Sequence, residues 1–397
     1  MLFLASRKFQ VNDIVNIKQG GVQTACDMTM MRARSAPIHA LAFICMLYIS
    51  TKKGTAKYLE PKVSSVTSKN ILDTHNKSET ASGRKYPLLE IFGFVTPWNA
   101  NGKTISLSEA ERGRLNVVSP VSWQMHPDGL NGGDDFEEDY YQSMSEQGTR
   151  VYPRILFEKW NSTEFVMLSD EPAPMVARII ELCKQYNFEG VVIEIFQELL
   201  STGTLSRHKE KALGLVRTLG EGIRKEGFKT VLVLLPYSTD VPQHGISCST
   251  LKEISRGYSY IITMTYDYST PGSAPGPIAP LSWVRQVAIY LSLGCELGGK
   301  VLIGLNFYGI DFWEGGQSRH IVGHEFLKLL EEHEPDMLWW DEFGEHGFAY
   351  QKKGEHVVFY PTRESIRLRT ELADEIGCGG VAIWDLGQGL EHFFEEF

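Results

Sequence analysis

Eight short apolar runs, mostly separated by helix-length segments, are the feature that most constrains the fold of this 397-residue chain. Amphipathic patterns between the runs, such as KALGLVRTLGEGIRKEG and ESIRLRTELADEIG, end near a glycine, as helices commonly do. Eight strands that alternate with helices over ~300 residues predict an α/β fold, the (β/α)8 TIM barrel, rather than an open doubly wound sheet. The strands are expected at Leu88–Val95, Val117–Trp123, Val151–Phe157, Gly190–Ile195, Thr230–Pro236, Tyr260–Tyr266, Val301–Phe307 and Gly380–Trp384.

The chain divides into three predicted parts. Residues 1–50 are an N-terminal extension with a signal peptide or anchor, residues 51–85 are a low-complexity lead-in, and residues 86–397 form the barrel. Within the barrel, the segment HGFAYQKKGEHVVFYP alternates apolar and polar residues around Lys353 and Gly354. It predicts a small inserted β-hairpin between strands 7 and 8.

The apolar run ALAFICMLYI in the N-terminal extension suits the hydrophobic region of a signal peptide, with arginines before it and lysines after it. It is shorter than the ~20 apolar residues that a membrane-spanning helix needs, so no membrane span is expected in the mature form. A start at Met31 would give a well-formed signal, and an uncleaved anchor is the alternative. Two glycosylation sequons, at Asn76 and Asn161, fit the same secretory route and a secreted or lysosomal location.

Charge and cysteine content exclude several classes of function. The formal net charge of −10 argues against a nucleic-acid partner, because no basic stripe is available to neutralise phosphates. The six cysteines form no C-x-x-C pair and no Cys/His cluster at metal spacing, so no metal and no cofactor is predicted. The four cysteines of the barrel region could form one or two disulfides or remain buried thiols, and their spacing does not decide between these arrangements.

The carboxyl ends of the predicted strands are where barrels of this kind carry their functional residues. Aromatic side chains recur there beside amides and acids, a combination that favours sugar binding through ring faces and planar hydrogen-bonding groups. The predicted carbohydrate-binding residues are Trp98, Trp123, Glu194, Phe196, Gln197, Met264, Tyr266, Asp267, Tyr268, Asn306, Tyr308 and Trp384.

The fourth strand, in FEGVVIEIFQELL, holds one carboxylate within an apolar run. A buried carboxylate without a partner costs several kcal/mol or shifts its pKa, so Glu194 needs a partner or a wet pocket. We expect a hydrogen bond to Tyr266 or Asp267 and a raised pKa. Because side chains alternate along a strand, Glu194 and Phe196 are expected on the same face.

This segment resembles the catalytic strand of glycoside hydrolase family 18, F-D-G-x-D-x-D-x-E, in which the last Glu is the general acid. In this chain, Phe196 takes the position of that acid, and Glu194 takes the position of the third Asp. MTYDY matches the family's M-x-Y-D, and Trp384 matches the tryptophan that floors the sugar site. The resemblance extends from Leu88 to the last residue. It implies substrate-assisted chemistry, in which Tyr266 and Asp267 would stabilise an oxazolinium intermediate.

The replacement of the acid decides the predicted function. Phe196 cannot donate a proton, and Glu194 lies ~6.6 Å deeper along an ideal strand. We therefore predict a catalytically inactive chitinase-like lectin that binds amino-sugar or chito-oligosaccharide glycans in the secretory or endolysosomal system. GFVTPWN and PRILFEKW resemble one chitinase-like branch of the family, which implies the same role. The alternatives are a divergent hydrolase that uses Glu194 or Glu198, and an adaptor that binds a scavenger or sorting receptor without a sugar.

Overall fold

The computed structural model describes residues 61–75, 83–236 and 246–397. The predicted signal peptide or anchor within residues 1–50 lies outside the described residues, as does the Asn76 sequon. Among the described residues, no helix is both long enough and apolar enough to cross a membrane.

Strands and helices alternate along the described chain. The strands are β1 (Lys62–Val63), β2 (Glu90–Val95), β3 (Val117–Pro120), β4 (Trp123–His126), β5 (Gly129–Gly132), β6 (Arg150–Val151), β7 (Arg154–Phe157), β8 (Gly190–Glu194), β9 (Lys229–Leu234), β10 (Tyr260–Thr263), β11 (Val301–Asn306), β12 (Gly309–Trp313), β13 (Gln317–Ile321), β14 (Leu338–Trp340), β15 (Glu345–Gln351), β16 (Glu355–Phe359) and β17 (Gly380–Trp384). The α-helices are α1 (Ser68–His75), α2 (Ala100–Glu111), α3 (Glu138–Glu146), α4 (Ser162–Asp170), α5 (Ala173–Gln185), α6 (Phe196–Ser201), α7 (Thr204–Arg207), α8 (Lys209–Lys225), α9 (Cys248–Ile254), α10 (Leu281–Ile289), α11 (Gly323–His333) and α12 (Arg363–Ile376).

Parallel strands form a curled sheet in the order β4-β7-β8-β9-β10-β11-β17-β2-β3-β6, with β5 added antiparallel to β4. Its two ends meet because β6 and β7 belong to one strand, interrupted at Pro153, which has no N–H to donate. On one side, Tyr152 N donates to Val118 O at 3.0 Å, and on the other, Val192 N donates to Pro153 O at 2.9 Å. The barrel prediction is confirmed at the level of the fold.

The inside of the barrel is filled by side chains from every second position of its strands, as strand alternation requires. These side chains are mostly β-branched or aromatic and almost fully buried, and they pack partly buried Met264 and Trp384 against one end of the cluster. They define which positions point inward. The cluster consists of Phe92, Phe94, Val117, Val121, Tyr152, Val192, Val231, Val233, Ile262, Leu302 and Ala382.

A second, antiparallel sheet is inserted between β11 and α12, in the order β1-β14-β15-β16-β12-β13. The predicted hairpin segment pairs here as β15 and β16, but the insertion is larger than the small hairpin that the sequence suggested. The predicted low-complexity lead-in contributes an edge strand and a helix: Lys62 pairs with Trp339, and Ser64 N donates to Met337 O at 2.9 Å. These contacts are non-local, which is why local composition did not reveal them.

The cysteines adopt both arrangements that the sequence allowed. Cys248, at the start of α9, is disulfide-bonded to Cys295. Cys183 and Cys378 are free thiols, both buried. In the described part of the chain, no cluster of three or more His, Cys, Asp or Glu side chains could hold a metal ion.

Candidate functional site at the carboxyl end of the barrel

The fourth barrel strand ends one residue earlier than the sequence suggested. β8 stops at Glu194, the backbone leaves the strand conformation at Ile195 (φ −125°, ψ −25°), and Phe196 is the first residue of α6. Phe196 is only 2% exposed, so its ring presents no face to solvent. The expectation that Phe196 continues the face of Glu194 is therefore wrong, because the strand alternation ends before it.

The partner of Glu194 is Arg154, which the sequence reasoning did not include. Nη1 of Arg154 lies 3.2 Å from Oε2 of Glu194, and both side chains are largely buried. The expected hydrogen bond from Glu194 to Tyr266 or Asp267 is not present. The signal was available in PRILFEKW, because an arginine within an apolar strand needs an acceptor just as a carboxylate needs a donor.

Trp384 ends β17 and lies beside this ion pair. The guanidinium carbon of Arg154 is 5.2 Å from the centre of the Trp384 ring, a cation–π contact. The ring also packs on Phe94, with centroids 5.2 Å apart. The structure thus brings together Arg154, Glu194 and Trp384, from three different strands, at the carboxyl end of the barrel.

A tyrosine–carboxylate pair lies beside them. Asp267 follows β10 in a left-handed conformation (φ 60°) and accepts a hydrogen bond from the Tyr308 hydroxyl. Burial raises the pKa of Asp267, and the hydrogen bond from Tyr308 opposes that shift. Burial also raises the pKa of Tyr266 well above its usual value, and the negative charges of Asp267 and Glu194 add to that shift. The two carboxylates therefore lie within electrostatic range of the same phenol.

The inserted sheet reaches this pair through His320 on β13. Its ring meets the Tyr308 ring edge-on, with centroids 5.1 Å apart. Burial lowers the pKa of His320, and the charge of Asp267 raises it. Asn306 has a structural contact here, because its Nδ2 donates to the Tyr308 carbonyl at 2.9 Å.

The remaining predicted residues are scattered. Trp98 is 75% exposed and Tyr268 is 53% exposed, beyond the ends of β2 and β10. Gln197 is exposed on α6, and Met264 packs partly buried against the inner cluster. Trp123 is 3% exposed within a cluster of Phe136, Tyr186 and Phe188, so it presents no surface to a ligand in this conformation.

Glu198, the other acid considered for hydrolysis, has both carboxylate oxygens engaged. Oε1 accepts a hydrogen bond from Trp160 N, and Oε2 accepts one from Ser201 Oγ, each at 3.0 Å. The first bond ties α6 to the segment that follows β7, and the second lies within α6. Glu198 therefore fixes the backbone at the rim rather than extending into an open site.

Three further titratable residues at the strand ends were not among the predicted carbohydrate-binding residues. His126 Nε2 lies 3.0 Å from Glu158 Oε1, where β4 and β7 end. Asp385 is fully buried and accepts a hydrogen bond from Thr96 Oγ1 at 3.1 Å, and burial raises its pKa to about 6. Glu158 and Asp385 directly follow predicted strands, whereas His126 lies three residues beyond the predicted run Val117–Trp123.

Asn161, the sequon asparagine within the described residues, is exposed at the start of α4. Its Oδ1 accepts hydrogen bonds from Thr163 N and Glu164 N. This N-cap arrangement uses the carbonyl oxygen and makes no demand on the amide nitrogen, the atom to which a glycan is attached.

Residues 131–389 match the sequence profile of Glycosyl hydrolases family 18. The chain belongs to this family. The family-level resemblance seen in the sequence is therefore confirmed.

Two bacterial relatives are similar at low identity. An uncharacterized glycosylase, YvbX, of Bacillus subtilis (strain 168) is 22% identical over 224 residues, covering 55% of this chain and 63% of the relative. The cortical fragment-lytic enzyme of the same organism is 22% identical over 233 residues, covering 56% of this chain and 52% of the relative. The matches thus span less than two thirds of the length of these relatives.

Among solved structures, the chitinase from Chromobacterium violaceum ATCC 12472 superposes with a TM-score of 0.68 at 17% identity. The match covers 77% of this chain and 97% of the chitinase chain. At this identity, the similarity shows that the two proteins share a fold.

Proposed function

We propose that this protein binds amino-sugar or chito-oligosaccharide glycans at the carboxyl end of its barrel and does not hydrolyse them. The observation that carries the proposal is that none of the three side chains considered for proton donation is placed as a free acid. Phe196 has no proton to donate and is buried, Glu194 is paired with Arg154, and Glu198 is engaged by two hydrogen bonds. Hydrolysis requires a protonated acid within about 3 Å of the glycosidic oxygen.

The ion pair is the strongest of these arguments. Oε2 of Glu194 lies 3.2 Å from Nη1 of Arg154 and both side chains are largely buried, so this carboxylate is engaged by a cation inside the barrel. Loss of a general acid typically lowers a rate by about 10²–10⁴-fold. Ring faces and hydrogen-bonding groups for a sugar persist in Trp384, in the Tyr308–Asp267 pair and in the exposed rings of Trp98 and Tyr268.

The proposal includes the narrower branch and the location. The stretches GFVTPWN, PRILFEKW and MTYDYSTPGSAPGPIAPLSWVR support membership of the chitinase domain-containing protein 1 branch, the stabilin-interacting chitinase-like proteins. A disulfide between Cys248 and Cys295 supports a secreted or lysosomal location, because disulfides persist in oxidising compartments. Exposed Asn161 would carry a glycan there.

A divergent hydrolase is the second candidate. The names of the relatives favour it, since they include a cortical fragment-lytic enzyme and a chitinase. In such an enzyme, Glu194 would have to donate a proton despite Arg154. A third possibility, a receptor-binding adaptor without a sugar ligand, is an outcome of the test below.

The test compares binding and turnover in the same preparation. We expect no turnover of a fluorogenic N-acetylglucosamine oligomer, and binding on a glycan array that is lost in Trp384→Ala and Asp267→Ala. Trp313→Ala, which removes a part-exposed tryptophan from β12 of the inserted sheet, is the matched control and should bind normally. Turnover that Glu194→Gln or Glu198→Gln abolishes would establish the hydrolase. A blank array with the folded protein would favour the adaptor.

A further inference from the structure

Arg154 is a cation inside the barrel, a position that buried parallel strands normally fill with apolar side chains. It lies on β7, two residues after Tyr152 of the inner cluster, and its contact with Trp384 confirms that it points inward. Arg154 is 8% exposed. A guanidinium buried to this degree has five N–H donors that need acceptors.

The structure supplies few acceptors to this group. Nη1 lies near Glu194, and the planar face of the group lies over Trp384. Nε is buried without a hydrogen-bond partner. Among the described residues, the polar and ring contacts of Arg154 are those with Glu194 and Trp384, so Nη2 donates no hydrogen bond there. Ser119 Oγ, on the adjacent strand β3 at an inward position between Val117 and Val121, is also buried without a partner. The interior of the barrel therefore holds donors that lack acceptors.

Nε and Nη2 form the lateral edge of the guanidinium, where two N–H groups point in parallel. This edge matches two oxygens of one carboxylate or phosphate, whereas a single carbonyl oxygen fills only half of it. A buried donor without an acceptor is costly, so a ligand that supplies both oxygens gains more here than at an exposed arginine. The free edge thus has the chemistry of an oxyanion site.

We propose that Arg154 is a specificity-determining residue, whose free edge binds a carboxylate or phosphate carried by the sugar ligand beside Trp384. This inference rests on the proposed glycan-binding function and names its ligand class. Glu194 is then a positioning residue, which holds the guanidinium by Nη1 and offsets its charge when no ligand is bound. A bound oxyanion places a second negative charge next to Glu194. The oxyanion and the Glu194 carboxylate therefore compete for the positive charge of Arg154.

The competition gives the two residues opposite effects in a binding experiment. Isothermal titration with chito-oligosaccharide tetramers that end in N-acetylglucosamine, glucuronate or N-acetylglucosamine 6-phosphate compares a neutral probe with two acidic ones. We expect the wild type to prefer an acidic probe, and Arg154→Gln to lose about 10- to 100-fold of that affinity. Arg154→Lys keeps the positive charge without the two parallel N–H groups. Its affinity for the acidic probe should therefore lie between those of Arg154→Gln and the wild type. Glu194→Gln should bind the acidic probe more tightly than the wild type.

Arg150→Gln is the matched control, because Arg150 lies on the same strand of the barrel at its other end and pairs with Glu90. It should bind all probes like the wild type. The double variant Arg154→Gln/Glu194→Gln removes both buried charges together, so it tests the loss of acidic selectivity even if Arg154→Gln alone does not fold. Circular dichroism verifies the fold of each variant.

Each outcome decides the proposal. A preference for glucuronate, for the phosphate or for both, lost with Arg154, supports the oxyanion site and identifies which acid it takes. Equal affinity for neutral and acidic probes, unchanged in Arg154→Gln or the double variant, overturns the inference and leaves glycan binding intact. No binding of any probe by the folded wild type overturns the proposed function as well, and the neutral probe distinguishes these two failures.

Discussion

Acid should destabilise this protein through His346, a histidine that is 1% exposed on β15 of the inserted sheet. Its Nε2 lies 2.8 Å from Ser64 Oγ and its Nδ1 lies 2.9 Å from Thr362 Oγ1. These hydroxyls satisfy a neutral ring and provide no counter-charge for an imidazolium. Burial accordingly lowers the pKa of His346 from 6.5 to about 4, although the charge of Glu364 opposes the shift.

The magnitude follows from linkage between protonation and folding. The unfolded chain takes up the proton near pH 6.5, whereas the folded protein takes it up near pH 4. Stability that is fully present above pH 6.5 is therefore lost as the pH falls through this window, because the unfolded state binds more protons there. A shift of this size corresponds to a loss on the order of 3 kcal/mol once the window has been crossed, most of it by about pH 4.5.

Urea unfolding at pH 7.5 and pH 4.5 measures this loss. In His346→Gln the amide keeps one donor and one acceptor but cannot be protonated. The drop in the free energy of unfolding from pH 7.5 to pH 4.5 should therefore be about 2–3 kcal/mol smaller in this variant than in the wild type. His324→Gln replaces an exposed histidine on α11 and should behave like the wild type. The same pH-dependent loss in His346→Gln and in the wild type would refute the reasoning.

Three further predictions concern a buried ion pair, the disulfide and the exposed sequon. Arg369→Met should lower the free energy of unfolding by about 3–5 kcal/mol, because it leaves the buried Glu345 carboxylate without its ion-pair partner, and urea denaturation measures the change. Replacing Cys248 and Cys295 together by serine should cost about 4 kcal/mol, since the bridge closes a loop of 47 residues, and the same denaturation series reports it. Asn161→Gln should remove an enzymatically releasable glycan mass from protein secreted by animal cells.

Matched controls separate these effects from general damage. Arg285→Met breaks an exposed ion pair with Glu375 and should change stability by less than about 1 kcal/mol. Unequal losses in the two arginine variants are the expected result, and equal losses would contradict the assignment of a buried pair. A cysteine double variant as stable as the wild type would show that the bridge does not constrain the unfolded chain. An unchanged mass in Asn161→Gln would mean that the site carries no glycan.

The barrel could be predicted because each of its strands is buried on both faces and so appears in the sequence as a short apolar run. Interruptions within strands were not predictable at this level. The run Val117–Trp123 divides into β3 and β4, and the run Val151–Phe157 breaks at Pro153. The inserted sheet was underestimated because its strands pair across long sequence separations, as Lys62 does with Trp339.

The site was predicted only in part, for a related reason. Trp384 ends a strand, Asp267 and Tyr308 follow strands, and the structure places each near another group of the site. Trp123 ends the predicted run Val117–Trp123 but begins β4, and its ring is buried, because the interruption of the run changed its position in the strand. Arg154 is the counter-charge of Glu194, and the two residues lie on different strands, so the pair does not appear as a local pattern in the sequence.

If the proposed function is correct, a carboxylate introduced at position 196 should not give the protein hydrolase activity. Phe196 begins α6 instead of continuing β8, so a carboxylate there would not extend along the face of Glu194. It would also replace a buried ring with an unpaired charge, at a cost of at least about 3 kcal/mol. We expect Phe196→Glu to show a lower urea midpoint and no turnover of a fluorogenic N-acetylglucosamine oligomer. Phe196→Leu is the matched apolar control for stability. Turnover by Phe196→Glu would contradict this reasoning, because it would show that the early end of the strand and the Arg154 pair do not prevent hydrolysis.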